Sequence, residues 1–189
     1  MSSEKERELI ARAKSDPEAF GEIYREYVDR IYNYHYRHTS NRVEAEDLTS
    51  RTFYRALRSL HRYRETGASF QAWLFRIAHN LVVNWYRDGK THQSISIDVE
   101  NPLPLRAPAA NPESSLADAE TQKALLSVIE TLPEDRKTLI ILKFVEHMTN
   151  AEIGEVLGRT EGAIKALYHR TLVSLREIMR EGAWDVREI

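Results

Sequence analysis

A chain of 189 residues, 42% hydrophobic and 30% charged, has the make-up of one ordinary globular domain or two small ones. Cysteine is absent and no apolar run approaches the ~20 residues of a membrane span, so disulfides, thiolate metal sites and membrane insertion are not expected. The charged start MSSEKERELI lacks a signal peptide's apolar stretch, and a cytoplasmic location is the expectation.

The net charge of −2 hides a polarised chain. Residues 1–50 carry 8 basic and 11 acidic side chains, and residues 91–120 carry 1 and 5. Residues 51–90 carry 8 and 2, a basic excess that suits either a solvated helix face or a polyanion.

Asp16-Pro17 predicts a helix start, with Asp as cap and Pro in the first turn. Phe20, Ile23, Tyr24, Tyr27, Ile31 and Tyr34 then follow at helical spacing. Asn41 and Glu44 read as a capping box opening a second helix, with Val43, Leu48, Phe53, Ala56, Leu57 and Leu60 inward. After a turn around Gly67, Ser69 caps a third helix bearing Trp73, Leu74, Ile77, Ala78, Leu81, Val82 and Trp85.

From about Asp88 to Leu116 the periodicity collapses. SISIDVENPLPLRAPAANPESS holds four of the six prolines and is acidic, which predicts an extended linker. SISI has strand character but no evident partner. A second block begins near Leu116, with Leu125, Leu126, Val128, Ile129 and Leu132 as an apolar face. Pro133 starts a helix containing Leu139, Ile140, Leu142, Phe144 and Val145. Each block is small enough that neither is expected to bury a large core.

The end of the second block has a helix-turn-helix pattern. Thr149 and Glu152 form a capping box for a short helix with Ile153, Val156 and Leu157 inward. Gly158 sits where that helix must stop with positive φ, and Gly154 is small where the helices approach. Thr160 caps a second helix buried through Ile164, Leu167, Tyr168, Leu172 and Leu175. Its outer face carries Lys165, Ala166, His169 and Arg170 near the end that enters the major groove in this motif. Lys165 or Arg170 suits guanine O6 and N7, Ala166 a thymine methyl, and the amides around Thr160 a phosphate.

At this point the residues resemble a known family. LPEDRKTLIILKFVEHMTNAEIGEVLGRTEGAIKALYHRTLVSLREIM is similar to region 4 of extracytoplasmic-function (ECF) sigma factors of the sigma-70 family. DPEAFGEIYREYVDRIYNY, AEDLTSRTFYRALRSLHRY and SFQAWLFRIAHNLVVNWYRD resemble successive parts of region 2, in the family's order. The resemblance implies an all-α fold of two small helical domains, region 2 over residues 1–90 and region 4 over 118–183, joined by an acidic Pro-rich linker over 91–117.

The resemblance also implies a role in transcription initiation. Region 4 reads the duplex −35 promoter element through Thr160, Lys165, Ala166, His169 and Arg170. Region 2 takes the −10 element as single-stranded DNA through Arg55, Tyr63, Arg64 and Asn80, and the basic excess of residues 51–90 suits the phosphates. The implied partners are promoter DNA, an anti-sigma factor and core RNA polymerase, through its β′ clamp coiled coil and β flap. Asp47, Leu48 and Phe53 match the clamp contact, although Leu48 and Phe53 also fit the core periodicity. The common acidic residue after Leu-Thr-Ser is Arg51 here, which weakens that match. The linker, at ~3.3 Å per residue, reaches ~90 Å when extended, enough for two elements roughly 35–70 Å apart.

No catalytic or metal constellation stands out, so neither an enzyme nor a cofactor is expected. His35 and His38 are spaced i, i+3 but lack further ligands, and read as surface histidines. Tyr24, Tyr27, Tyr32, Tyr34 and Tyr36 read as core with polar tips. The competing readings are a stand-alone helix-turn-helix regulator and a helical adaptor without a DNA role.

Overall fold

The computed structural model describes residues 3–64, 69–89, 129 and 131–181, and these fold as helices with no strand among them. The linker, SISI and most of the apolar face expected after Leu116 lie outside the described residues. Helix α1 (Ser3–Ala13), which the apolar spacing did not announce, seats Leu9, Ile10 and Ala13 in the core. Helix α2 (Pro17–Thr39) starts as expected: the Asp16 side chain accepts the Glu18 amide at 2.9 Å. Its buried stripe is Ala19, Ile23, Tyr27, Ile31, Tyr34, His35 and His38. Tyr24 is exposed, and Tyr32 and Tyr36 are half-buried and stacked on each other, so the tyrosine series is only partly core.

Helix α3 (Arg42–Ser59) is capped by Asn41, whose side chain accepts the Val43 and Glu44 amides. Glu44 does not complete the expected box; its carboxylate accepts the Trp85 indole N–H at 2.8 Å. Val43 and Leu57 are exposed rather than inward, because the buried stripe of α3 runs through Ala45, Leu48, Thr52, Phe53 and Ala56. A 3₁₀ turn over Leu60–Arg62 follows. Helix α4 (Phe70–Gly89) begins where the Ser69 hydroxyl accepts the Ala72 amide.

In the second block, α5 (Glu134–Ile140) runs into a π turn, Ile141–Val145, closed by the Glu146 amide on the Ile141 carbonyl at 3.1 Å. Phe144 is exposed by that turn. Helices α6 (Asn150–Leu157) and α7 (Glu161–Glu181) complete the motif. The Thr149–Glu152 capping box is present in full, and Gly158 ends α6 with φ +63°. A Cβ on Gly154 would lie 2.6 Å from the Arg159 carbonyl oxygen, so this position has no room for a side chain. Leu172 is more exposed than its spacing implied.

The two blocks do not keep separate small cores. Leu139, Leu142, Met148, Ile153 and Val156 join Ile23, Tyr34, Phe70 and Phe75 in one apolar cluster. Helix α4 is the shared wall, packing on α2 and α3 with one side and on α6 with the other. Two minimal helical units thereby exclude water from each other, which offsets the poor surface-to-volume ratio of either alone.

Polar ties close the same junction. Arg30 meets Glu146 at 2.8 Å, Gln71 donates to the Glu146 carbonyl at 2.9 Å, and the Ser69 hydroxyl donates to Glu152 at 2.5 Å. His35 and His38, expected at the surface, are buried against this junction and beside Thr52 instead. Their i, i+3 spacing puts both on the inner face of α2. The Thr52 hydroxyl donates to the Leu48 carbonyl, so His35 Nε2–H is the donor to Thr52 Oγ1 and Nδ1 is left bare. Burial holds the His35 imidazole neutral, down to about 3, and lowers His38 as well. Neutral His38 donates from Nδ1 to Glu134 of α5 at 3.2 Å.

Candidate nucleic-acid interface

Two exposed basic surfaces of different shape lie on the two blocks. The first is the outer face of α7. Ile164, Leu167 and Thr171 are buried, and this orientation leaves Lys165, Ala166, His169 and Arg170 in solvent. The four lie within two turns on one side of the helix, a convex rod of the width a major groove admits. Lys165 pairs with Glu161 at 2.8 Å, an exposed i, i+4 contact that a competing anion displaces at little cost. The Thr160 hydroxyl accepts the Ala163 amide at 3.2 Å, so Thr160 both caps α7 and lies at its exposed end.

The second surface is concave. Helices α3 and α4 flank a cleft of about 630 Å³ lined by Arg51, Tyr54, Arg55, Arg58, Ser59, Ile77 and Asn80. Residues 51, 54, 55 and 58 share one helix face because they are spaced i, i+3, i+4, i+7. The opposite face of α3 is buried, which forces this one outward. Ile77 and Asn80, one turn apart on α4, form the facing wall. No carboxylate lines the cleft among the described residues, and three guanidiniums do. Such a basic, partly apolar concavity suits a strand whose bases are unpaired, because phosphates meet cations while a base enters the cleft.

Of the residues expected to take single-stranded DNA, the fold brings Arg55 and Asn80 together across this cleft. Arg64 is exposed just beyond the 3₁₀ turn, next to residues 65–68, which are not described. Tyr63 is placed otherwise: its ring is buried against Phe70 and Trp73, and Lys14 donates to its carbonyl at 3.0 Å. Of the residues matched to polymerase, Asp47 is exposed and paired with Arg51 at 3.2 Å. Leu48 and Phe53 are core, with Phe53 edge-on to Tyr24. Tyr54 and Arg58 were not singled out from the sequence, and Ile77 was named only among the apolar residues of the third helix, although the basic i, i+4, i+7 run of α3 was the available signal.

With that geometry in view, the comparisons with known proteins are specific. Residues 23–91 match the family model for Sigma-70 region 2, and residues 122–175 match that for Sigma-70 region 4. The chain is 33% identical over 177 residues to the ECF RNA polymerase sigma factor BldN of Streptomyces coelicolor, covering 93% of this chain and 66% of that protein. It is 31% identical over 174 residues to the ECF RNA polymerase sigma factor SigW of Bacillus subtilis, covering 89% of this chain and 92% of that one. The fold is that of CnrH, solved with the cytosolic domain of CnrY, at a TM-score of 0.66 and 20% identity over 93% of this chain and 97% of that one. The chain belongs to the ECF group of sigma-70-family RNA polymerase sigma factors.

Proposed function

We propose that this chain binds core RNA polymerase and directs it to promoters, reading a duplex −35 element with α7 and holding the melted −10 strand in the α3–α4 cleft. The observation that carries the reading is the pairing, in one chain, of a convex basic helix with a basic cleft. One suits a groove and the other suits an unpaired strand. In this reading Thr160, Lys165, Ala166, His169 and Arg170 serve the duplex, while Arg55, Arg64 and Asn80 serve the single strand. Tyr63 acts from beneath, fixing the loop that carries Arg64. Asp47 is the exposed member of the clamp contact, with Leu48 and Phe53 supporting α3 behind it.

The compact state requires a further step. Two DNA elements one to two turns apart lie roughly 35–70 Å from each other, whereas the two blocks share one apolar cluster. Reading both elements at once therefore demands that the α4–α6 junction open while the linker keeps the blocks tethered. Both DNA surfaces are already exposed in the closed state, so opening changes their spacing and not their accessibility. An anti-sigma factor is the fitting regulator: the sigma factor RpoE of Bartonella quintana, whose fold this chain shares at a TM-score of 0.64, was solved with the anti-sigma factor NepR.

Run-off transcription from a promoter library, with core enzyme and with or without this chain, tests the proposal. New start sites that depend on the chain are expected. A chain that binds duplex operators as a dimer, and gives core enzyme no new starts, would instead be a stand-alone regulator.

A further inference from the structure

We propose that His79 is a proton-operated latch between the two blocks: a proton taken up on its imidazole opens the α4–α6 junction. This rests on the opening step of the proposed function and supplies its trigger.

His79 stands on α4 and lines a narrow cleft of about 190 Å³ whose far wall is the second block, through Glu134, Asp135, Thr138, Leu157 and Arg159. It is only half-buried, so a proton reaches it while the junction is closed. Its Nδ1 lies 3.1 Å from the hydroxyl of Tyr34, a fully buried side chain that also has Thr138 of α5 as a hydrogen-bond partner. A buried phenol needs an acceptor for its proton, and neutral His79 supplies one at Nδ1. Protonation turns that acceptor into a donor. Two donors then face each other unless the phenol reverses toward α5, so the proton on α4 is felt by the second block.

Charge works in the same direction. Arg159 of the second block faces His79 as a cation, and His38 faces it from α2. The carboxylates of the cleft are committed elsewhere: Asp135 pairs with Arg159 at 3.2 Å and Glu134 with His38 at 3.2 Å. Tyr86, on the same helix as His79, stays neutral because burial raises its pKa. Burial first, then His38 and Arg159, hold the His79 imidazole down to about 4 in the closed state. Opening carries Arg159 and Thr138 away and returns water, which restores an ordinary value near ~6.5. The closed state is therefore fully favoured above ~6.5 and yields as pH falls from there toward about 4. His35 answers to a different event. Its partner is Thr52 of α3, inside the first block, so its proton waits for unfolding.

The test follows the distance between the blocks in the full-length chain. The sequence has no cysteine, so Glu26→Cys on α2 and Glu177→Cys on α7, both exposed, take spin labels specifically. Double electron–electron resonance at pH 7.5, 6.5 and 5.5 gives the open fraction, and circular dichroism at each pH gives the helicity. The ratio of open to closed chain is expected to rise about tenfold from pH 7.5 to 5.5, one proton's worth, with helicity kept. His79→Asn sets an amide oxygen near the place of Nδ1 and has no proton to gain, so its ratio is expected to stay within about twofold. His79→Gln is a second neutral replacement should the first disturb α4. A rise as large as wild type in either folded variant overturns the inference, as does a wild-type ratio that ignores pH or moves only with loss of helicity. Opening that follows pH in a chain that gives core enzyme no new start sites overturns the proposed function and leaves the latch. New start sites from a chain whose opening ignores pH overturn the latch alone.

Discussion

Arg30 on α2 and Glu146 after the π turn meet at 2.8 Å across the junction of the two blocks, with the glutamate side chain only 3% exposed and the arginine 34%. Burial raises the Glu146 pKa, and the Arg30 cation opposes that rise. The glutamate's own carbonyl takes the Gln71 amide, so one residue ties α2 and α4 to the second block.

Glu146→Gln keeps the shape and a hydrogen bond but removes the charge. A hydrogen bond to a charged group contributes about 1.5–3 kcal/mol, and the closed state is expected to weaken by roughly the lower end because Arg30 is partly solvated. If opening precedes polymerase binding, the competent fraction rises and apparent affinity for core enzyme tightens up to about tenfold. Hydrogen exchange along α4 and α6 reports the opening, and fluorescence titration with core enzyme reports the affinity. Unchanged core affinity alongside faster exchange would show that the junction does not gate binding.

Acid is expected to destabilise the folded chain. Burial pushes His35 down to about 3 and His79, beside Tyr34 and the Arg159 cation, down to about 4. A histidine depressed in the folded state and ordinary in the unfolded one takes up its proton mainly on unfolding. Its contribution is therefore complete above ~6.5 and shrinks as pH falls from there toward about 4 and 3. Chemical denaturation at pH 7.5, 6 and 5, followed by circular dichroism, is expected to show falling stability. The decline should be shallower in His79→Phe; an equal decline would assign it to other groups.

In the helix-turn-helix, two glycines are expected to tolerate no side chain. Gly158→Ala places an L residue at φ +63° and costs about 1–2 kcal/mol. Gly154→Ala meets backbone at 2.6 Å, where neither partner can rotate away. It is expected to cost about 1–3 kcal/mol and to displace α7. Thermal melts give the stabilities. Duplex binding by Gly154→Ala should fall even at temperatures where the chain is folded, and full binding there would show that the turn absorbs the methyl.

For the outer face of α7, Lys165→Ala and Arg170→Ala are each expected to reduce binding to a duplex carrying the −35 element by about 1–3 kcal/mol if they pair with guanine. Loss of a phosphate contact would instead lower the salt slope by about 0.9 on cognate and random duplex alike. Neither substitution should alter single-strand capture or the stability of the chain, since both side chains are exposed. Binding isotherms across a salt series on both duplexes separate the outcomes.

The helix-turn-helix was legible almost residue by residue. Thr149, Glu152, Gly154, Gly158 and Thr160 act through the backbone within a few positions, and such local rules survive any tertiary context. The helix start at Asp16-Pro17 and the orientation of α7 were equally local. Where the sequence misled, a distant partner had intervened. Glu44 left its cap for Trp85, 41 residues on, and His38 went inward to meet Glu134, 96 residues on.

The cleft was half legible, since Arg55 and Asn80 were named but Tyr54 was not. Periodicity says which face of a helix is buried; it does not say which neighbouring helix supplies the facing wall of a groove. The sequence by itself determined an all-helical chain with a DNA-reading motif and a basic segment. Only the tertiary structure decided that α4 serves both blocks and that the basic segment forms a cleft. Those depend on contacts between residues far apart in the chain, where packing overrides local preference.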